Sequence, residues 1–206
     1  MKVAVVGGTG AFGTAVATRL RAAGYEVVIG SRDAARASAA AEAIGVEGAT
    51  NVDAVRVADL VILATKADGA IDTARELREV IGTTPVLSVA AELRFAPQGV
   101  LPTAEATAIA ERIQAEIDGP VLAGLHSLAA SNLGGEDAPD EDTLVCGDDA
   151  DAKALVLEVA GRITDGRAID AGPLASARAL EGMTAVIVNV NKRYKAHAGL
   201  RVTGVS

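Results

Sequence analysis

Four consecutive apolar residues, Val3-Ala4-Val5-Val6, run directly into Gly7-Gly8-Thr9-Gly10-Ala11-Phe12-Gly13. Beyond that point the period changes: Phe12, Val16 and Leu20 recur every four residues, and Gly24 closes the pattern. A short unbroken apolar run reads as a strand buried on both faces, and the four-residue recurrence reads as a helix ended by a glycine. A buried strand that enters a helix through G-x-G-x-x-G is the first turn of a parallel, doubly wound sheet. Each glycine has a geometric task there. Gly8 permits the tight turn, Gly10 lets the backbone approach a pyrophosphate, and Gly13 lets helix and strand pack closely. The first helical turn, with Ala11 and Phe12, offers unpaired N–H groups and a partial positive charge to phosphates. The string is weak by itself, and the alternative is a glycine-rich turn in an α/β protein that binds nothing.

The rest of the chain repeats the alternation. Strands are expected over residues 26–30, 58–64, 85–89, 120–123, 143–146 and 167–170. Helices are expected over 33–43, 67–81, from 103 past Ile109, Ile113 and Ile117, over 152–162 capped by Asp148 or Asp149, and over 174–195. Residues 92–100 read as a loop, and 132–142 as an exposed acidic one. Alternation of this kind predicts parallel βαβ units with helices on both faces. The expected fold is therefore α/β: a Rossmann-like, doubly wound parallel sheet. Residues 1–120 would form the dinucleotide-binding domain, and residues 121–206 a small C-terminal α/β part packed on it to hold substrate.

The end of the second strand separates NAD from NADP. An NAD site places a carboxylate there to hold the ribose 2′-hydroxyl. Here the chain reads Gly30-Ser31-Arg32, with Arg36 four residues on. Guanidinium groups grip a 2′-phosphate that an acid would repel. Together with the Thr9 hydroxyl, this favours NADP(H). Ala64, Thr65 and Lys66 follow the central strand and belong to the same cofactor set. Lys66 either reaches a ribose, an amide or an acceptor carbonyl, or is a solvated loop lysine.

Composition narrows the function classes. The net charge is −8 over 206 residues, which argues against nucleic acid as a partner. A single cysteine, Cys146, rules out an internal disulfide or a cysteine-rich metal site, and reads as a core residue. No metal is expected. No apolar run is long enough for a signal core or a membrane span, so a cytoplasmic protein that binds small molecules is expected. The last helix is apolar over much of its circumference, which predicts burial, with a homodimer as the favoured arrangement.

Several segments resemble the NADP-dependent reductases of the deazaflavin coenzyme F-420. They are Lys2 through Gly10, Gly30-Ser31-Arg32, Ala70 through Arg75, Leu125-His126, Val145-Cys146-Gly147-Asp148-Asp149, Asp170-Ala171-Gly172-Pro173-Leu174 and Asn191 through Gly199. The resemblance implies reversible hydride transfer between NADP(H) and a deazaflavin stacked on the nicotinamide. It places Thr9, Ser31, Arg32 and Arg36 at the 2′-phosphate and His126 on the deazaflavin side. The acceptor would lie among Ser88, Ala90, His126 and Leu128, with the basic residues Lys192 and Arg193 near its mouth. His126 alternatively reads as a structural loop histidine, and the basic end as ordinary helix-terminal charge. The chain departs from the family at Ala64 through Gly69 and at Val89 through Leu93, both at carboxyl ends of parallel strands. A reductase of another small acceptor (an imine, ketone, quinone or flavin) and a non-catalytic NADP(H)-sensing module therefore stand beside the lead reading.

Overall fold

The computed structural model describes residues 1–205. Its core is one sheet of eight strands. From the N-terminus these are β1 (Lys2–Val6), β2 (Glu26–Ser31), β3 (Glu47–Thr50), β4 (Leu60–Leu63) and β5 (Val86–Ser88). A separate hairpin, β6 (Leu93–Ala96) and β7 (Gly99–Pro102), follows. The sheet resumes with β8 (Val121–Gly124), β9 (Thr143–Gly147) and β10 (Ala168–Asp170). The spatial order is β10-β9-β8-β5-β4-β1-β2-β3. The order therefore reverses between β1 and β4, and in open α/β sheets ligands bind beyond the strand carboxyl ends at such a reversal.

The unbroken apolar runs are explained by the two cores. Val3 and Val5 of β1, and Leu60 and Ile62 of β4, pack in one cluster. Their neighbours Ala4, Val6, Val61 and Leu63 pack in the other. Successive side chains point to opposite faces, so a strand covered on both sides must be apolar at every position. One face is covered by α1 (Ala11–Ala22), α2 (Ala34–Ile44) and α7 (Ala150–Arg162). The other is covered by α3 (Asn51–Arg56), α4 (Ala67–Ile81), α5 (Ile109–Gln114) and α8 (Ala177–Tyr194). This is the doubly wound arrangement of a Rossmann fold.

Several local expectations are corrected. The sheet is not parallel throughout: β9 runs antiparallel to β8, and β10 follows β9. Parallel neighbours need a crossover, usually a helix. The connection from β8 to β9 holds only the one-turn α6 (Ala130–Leu133), which lies on α1, so the chain doubles back. Residues 92–100 are not a plain loop but most of the β6–β7 hairpin. The strand β3 and helix α3 had no reading in the sequence. The helix sought from residue 103 begins only at Ile109, where the buried carboxylate of Glu181 accepts the Ile109 and Ala110 N–H groups, both at 3.1 Å. Leu174–Ser176 form a 3-10 turn before α8 rather than its first turn.

The acidic segment 132–142 is not simply exposed. Arg19, buried in α1, donates to the carbonyls of Leu133 at 2.7 Å and Glu136 at 3.2 Å, and also to those of Gly135 and Asp137. Asp142 is fully buried. It accepts from the Arg167 guanidinium at 2.6 Å, the Val202 N–H at 2.8 Å and Arg201 at 3.3 Å, which ties the C-terminal segment to the edge of the sheet. Those hydrogen bonds hold its carboxyl well below the usual carboxylate range, the Arg167 contact most of all. Among the described residues, no helix is long and apolar enough to cross a membrane.

Candidate active site

The carboxyl ends of β1, β2 and β4 open into a cleft with two connected ends. One end, of about 700 Å³, runs past the glycine loop to the end of β2. The other, of about 660 Å³, runs under residues 89–95 to the segment after β8. Gly10, Ala64, Thr65, Lys66 and Asp68 line both and mark the junction.

The glycine loop is built as its residue types require. Gly7 has φ +78°, and a Cβ there would lie 2.9 Å from Thr65. A Cβ on Gly8 would lie 2.7 Å from the Val5 carbonyl oxygen, and one on Gly13 would lie 2.7 Å from the Gly8 Cα. Gly8 is thus buried in the turn and does not line the cleft. Gly10 meets nothing closer than 3.6 Å and faces open space, as a residue approached by a ligand must. The Thr14 hydroxyl donates to the Gly8 carbonyl at 2.8 Å and fixes the loop. Helix α1 has Gly10 as its N-cap, with no side-chain cap and no acid in its first turn. Its first N–H groups, beside Ala11, Phe12 and Gly13, stay available to an anion.

Thr9, Ser31, Arg32 and Arg36 all line the far end. Arg32 and Arg36 are exposed and form no ion pair among the described residues. The nearby acid, Asp33, is turned into the helix. Its Oδ1 accepts from the Ala35 N–H at 2.9 Å and the Arg36 N–H at 3.3 Å as the N-cap of α2. The Ser31 hydroxyl accepts from the Asp33 N–H at 3.2 Å, which leaves its own proton free to donate outward. Asn51, at the start of α3, also lines this end, and its Oδ1 is a buried acceptor without a partner. These donors and cations fit a dinucleotide carrying a 2′-phosphate.

At the other end, Ala90, His126 and Leu128 line the wall together with Phe95, Leu125 and Thr184. His126 is held at three points. Leu125 before it takes a left-handed φ of 65°, a strained conformation for a branched residue. The His126 carbonyl accepts from the Thr184 hydroxyl at 3.0 Å. The ring Nε2 lies 3.1 Å from the Ala90 carbonyl oxygen. A carbonyl only accepts, so Nε2 carries the proton and Nδ1 is a buried acceptor with no partner. Burial pulls the imidazole down to about 4, against the Ala90 contact, so the ring is neutral at physiological pH.

Three expected residues are not brought to this wall. Ser88 is fully buried at the end of β5 with its hydroxyl unpartnered, and it does not line the cleft. Arg193 is exposed on the last turn of α8, away from the lining. Lys192 reaches the mouth only indirectly, with its Nζ 5.5 Å from the centre of the Phe95 ring. Other basic residues of that segment are engaged: Arg201 with Asp140 and Asp142, and His197 with the Ser131 hydroxyl at 3.1 Å. Glu92 is also engaged, accepting from the Thr103 hydroxyl at 3.1 Å and from Arg112 at 3.2 Å. Lys66 is an unpaired cation among the described residues. Cys146 is buried in the core, which pushes its thiol up to about 11 and makes it inert. Sequence reasoning missed Asn51 and Phe95. The signal for Phe95 was the Pro97-Gln98-Gly99 turn between two short runs. Asn51 gave none.

Residues 2–92 match the family model described as NADP oxidoreductase, coenzyme F-420-dependent. The F-420-dependent NADP reductase of Methanothermobacter thermautotrophicus is 36% identical over 225 residues, covering 100% of this chain and 96% of that protein. The enzyme of the same name from Methanocaldococcus jannaschii is 32% identical over 223 residues, covering 100% and 99%. A crystal structure from Arthrobacter sp. FB24, a candidate F-420-dependent NADP reductase, superposes with a TM-score of 0.85 at 26% identity over 98% of this chain and 99% of that one. An imine reductase from Streptomyces aurantiacus shares the fold at a TM-score of 0.66 and 24% identity, over 95% of this chain and 62% of that one. The full-length match to the curated reductases places the chain: it belongs to the family of coenzyme F-420-dependent NADP oxidoreductases.

Proposed function

We propose that the protein transfers a hydride between NADP(H) and coenzyme F-420. One observation carries this beyond the family match. A single cleft joins an uncapped helix N-terminus and two unpaired arginines to a second chamber large enough for a ring system. In this reading the N–H groups of Ala11, Phe12 and Gly13 take the pyrophosphate, while Thr9, Ser31, Arg32 and Arg36 take the 2′-phosphate. Ala64, Thr65 and Lys66 bracket the nicotinamide end. Ala90, His126 and Leu128 border the acceptor, the neutral His126 ring being fixed against the Ala90 carbonyl. The two cofactors supply the hydride chemistry; the protein orients them and keeps water out. In this division residues 1–120 hold NADP(H) and also lend Ala90 and Phe95 to the acceptor wall, while residues 121–206 supply His126 and Leu128.

The reading of another small acceptor rested on Lys66 and Glu92. Glu92 is taken up by Thr103 and Arg112, which weakens its case as a free acid. A blocked cleft would support a non-catalytic sensor, and the acceptor end is not blocked. We further infer a homodimer formed through α8, where Met183, Val186 and Ile187 line an uncovered apolar groove of about 680 Å³. NADPH is a cytoplasmic reductant, and we place the protein in the cytoplasm. The deciding experiment is anaerobic mixing with NADPH and coenzyme F-420, following loss of the oxidised deazaflavin absorbance. No loss above the enzyme-free rate rejects the proposal.

A further inference from the structure

The chain is poor in aromatic residues, at 2% with no tryptophan, yet both of its phenylalanines line the acceptor end of the cleft. Phe12 comes from the first turn of α1 and is half-buried. Phe95 comes from β6 and is 76% exposed. An exposed apolar side chain alone is ordinary, but a rigid ring held at the mouth of a cleft is a binding feature.

The hairpin that carries the ring is anchored. Asn189 of α8 accepts the Val100 N–H on its Oδ1 at 2.8 Å and donates its Nδ2 to the Val100 carbonyl at 2.7 Å, so it clasps β7 through both polar groups of one residue. Val100 is the cross-strand partner of Phe95. Gly99, at φ +135°, makes the clasp possible, because a Cβ there would lie 2.8 Å from the Asn189 Oδ1. Three residues on, and so on the same side of α8, Lys192 sits over the Phe95 ring. Among the described residues Lys192 has no carboxylate partner; the ring is its contact. A cation over one face of a ring leaves the other face free.

We propose that Phe95 determines acceptor specificity, its free face forming the outer wall against which a flat conjugated acceptor lies, with Lys192 meeting an anionic substituent of that acceptor. The proposal rests on the hydride-transfer reading above. A ring face rewards a planar π-system and gives an aliphatic imine or ketone nothing comparable.

The test compares wild type, Phe95→Ala, Phe95→Leu, Phe95→Tyr and Lys192→Ala in steady-state reduction of coenzyme F-420 and of a deazaflavin without the anionic tail. Phe95→Ala and Phe95→Leu are expected to raise the KM for both deazaflavins about tenfold, as lost base-on-ring stacking does elsewhere. Phe95→Tyr should restore it, and the KM for NADPH should not move. Lys192→Ala should raise the KM for the tailed substrate alone. Phe95→Leu behaving as wild type overturns the stacking role, since an apolar cover would then suffice. An equal rise in the NADPH KM overturns it as well, because the hairpin would then act on the whole fold. Wild type inert towards coenzyme F-420 removes the hydride-transfer reading itself. Wild type active with Phe95→Ala unchanged removes only this assignment.

Discussion

Replacing Arg19 should loosen the segment that ends α6 and leave the phosphate loop intact. The guanidinium donates to four carbonyls at the end of α6 and just beyond it, but these bonds are unequal. Gly135, Glu136 and Asp137 are exposed, and their carbonyls regain water when the arginine is removed. The bond to Leu133 is buried, and Leu133 itself is fully covered. The loss is therefore one buried charge-assisted hydrogen bond, worth about 1.5–3 kcal/mol, plus the packing of the arginine stem. A total near 3 kcal/mol corresponds to a fall of about 6–12 °C in melting temperature for a domain of this size. Arg19→Met keeps most of the stem and isolates the polar part; Arg19→Lys keeps the charge but not the planar fork, so it should recover less than half. Calorimetry measures the melting temperatures. Isothermal titration with NADPH checks the loop, which lies about 13 Å away along α1. Arg19→Met melting within about 1 °C of wild type, against a loss of this size, would refute the reasoning.

Arg32→Ala should weaken NADPH binding roughly 10- to 150-fold and leave NADH binding unchanged, for a lost charged hydrogen bond of about 1.5–3 kcal/mol; equal NADPH affinity in the two proteins by titration rejects the 2′-phosphate assignment. Burial raises the Glu181 carboxyl from 4.5 to about 7, against the Ile109 and Ala110 N–H contacts. In that window the folded protein keeps a proton that the unfolded chain has lost, so this residue's contribution to stability falls as pH rises from 4.5 towards 7. Urea midpoints for wild type relative to Glu181→Gln should decline across that window, and a flat difference would contradict it.

The cofactor half was legible because its determinants are local. The β1 run, Gly8, Gly10, Gly13, Ser31 and Arg32 each act within a few residues of their neighbours, and both geometry and chemistry follow from residue type. Burial on both faces left β4 and β5 equally plain. The features that escaped depend on long-range partners. Arg19 meets Leu133 across 114 residues, and Asn189 meets Val100 across 89. Nothing local marks either residue as different from a surface arginine or asparagine. The hairpin was hidden because β6 lacks clean alternation: Arg94 and Phe95 are both exposed. The reversal at β9 depends on how α6 docks on α1, which a strand's own sequence does not encode. Ser88 and Arg193 were placed by proximity to the right segments, and their side chains turn elsewhere.

The position of β1 has a bearing on how the chain is built. Its partners are β2 and β4, so a strand that precedes both in the chain ends in the middle of the sheet. Its apolar residues wait for Glu26–Ser31 on one side and Leu60–Leu63 on the other before either edge is closed. Late pairing of this kind is slow and leaves strand edges exposed in the meantime. Once β4 is in place the phosphate loop is complete, some sixty residues into the chain. The acceptor wall must await α8, whose Asn189 and Thr184 secure the hairpin and His126. Growth thus proceeds outward from the nucleotide end, and a fragment stopped short of α8 would carry a finished phosphate loop beside an unfastened acceptor wall.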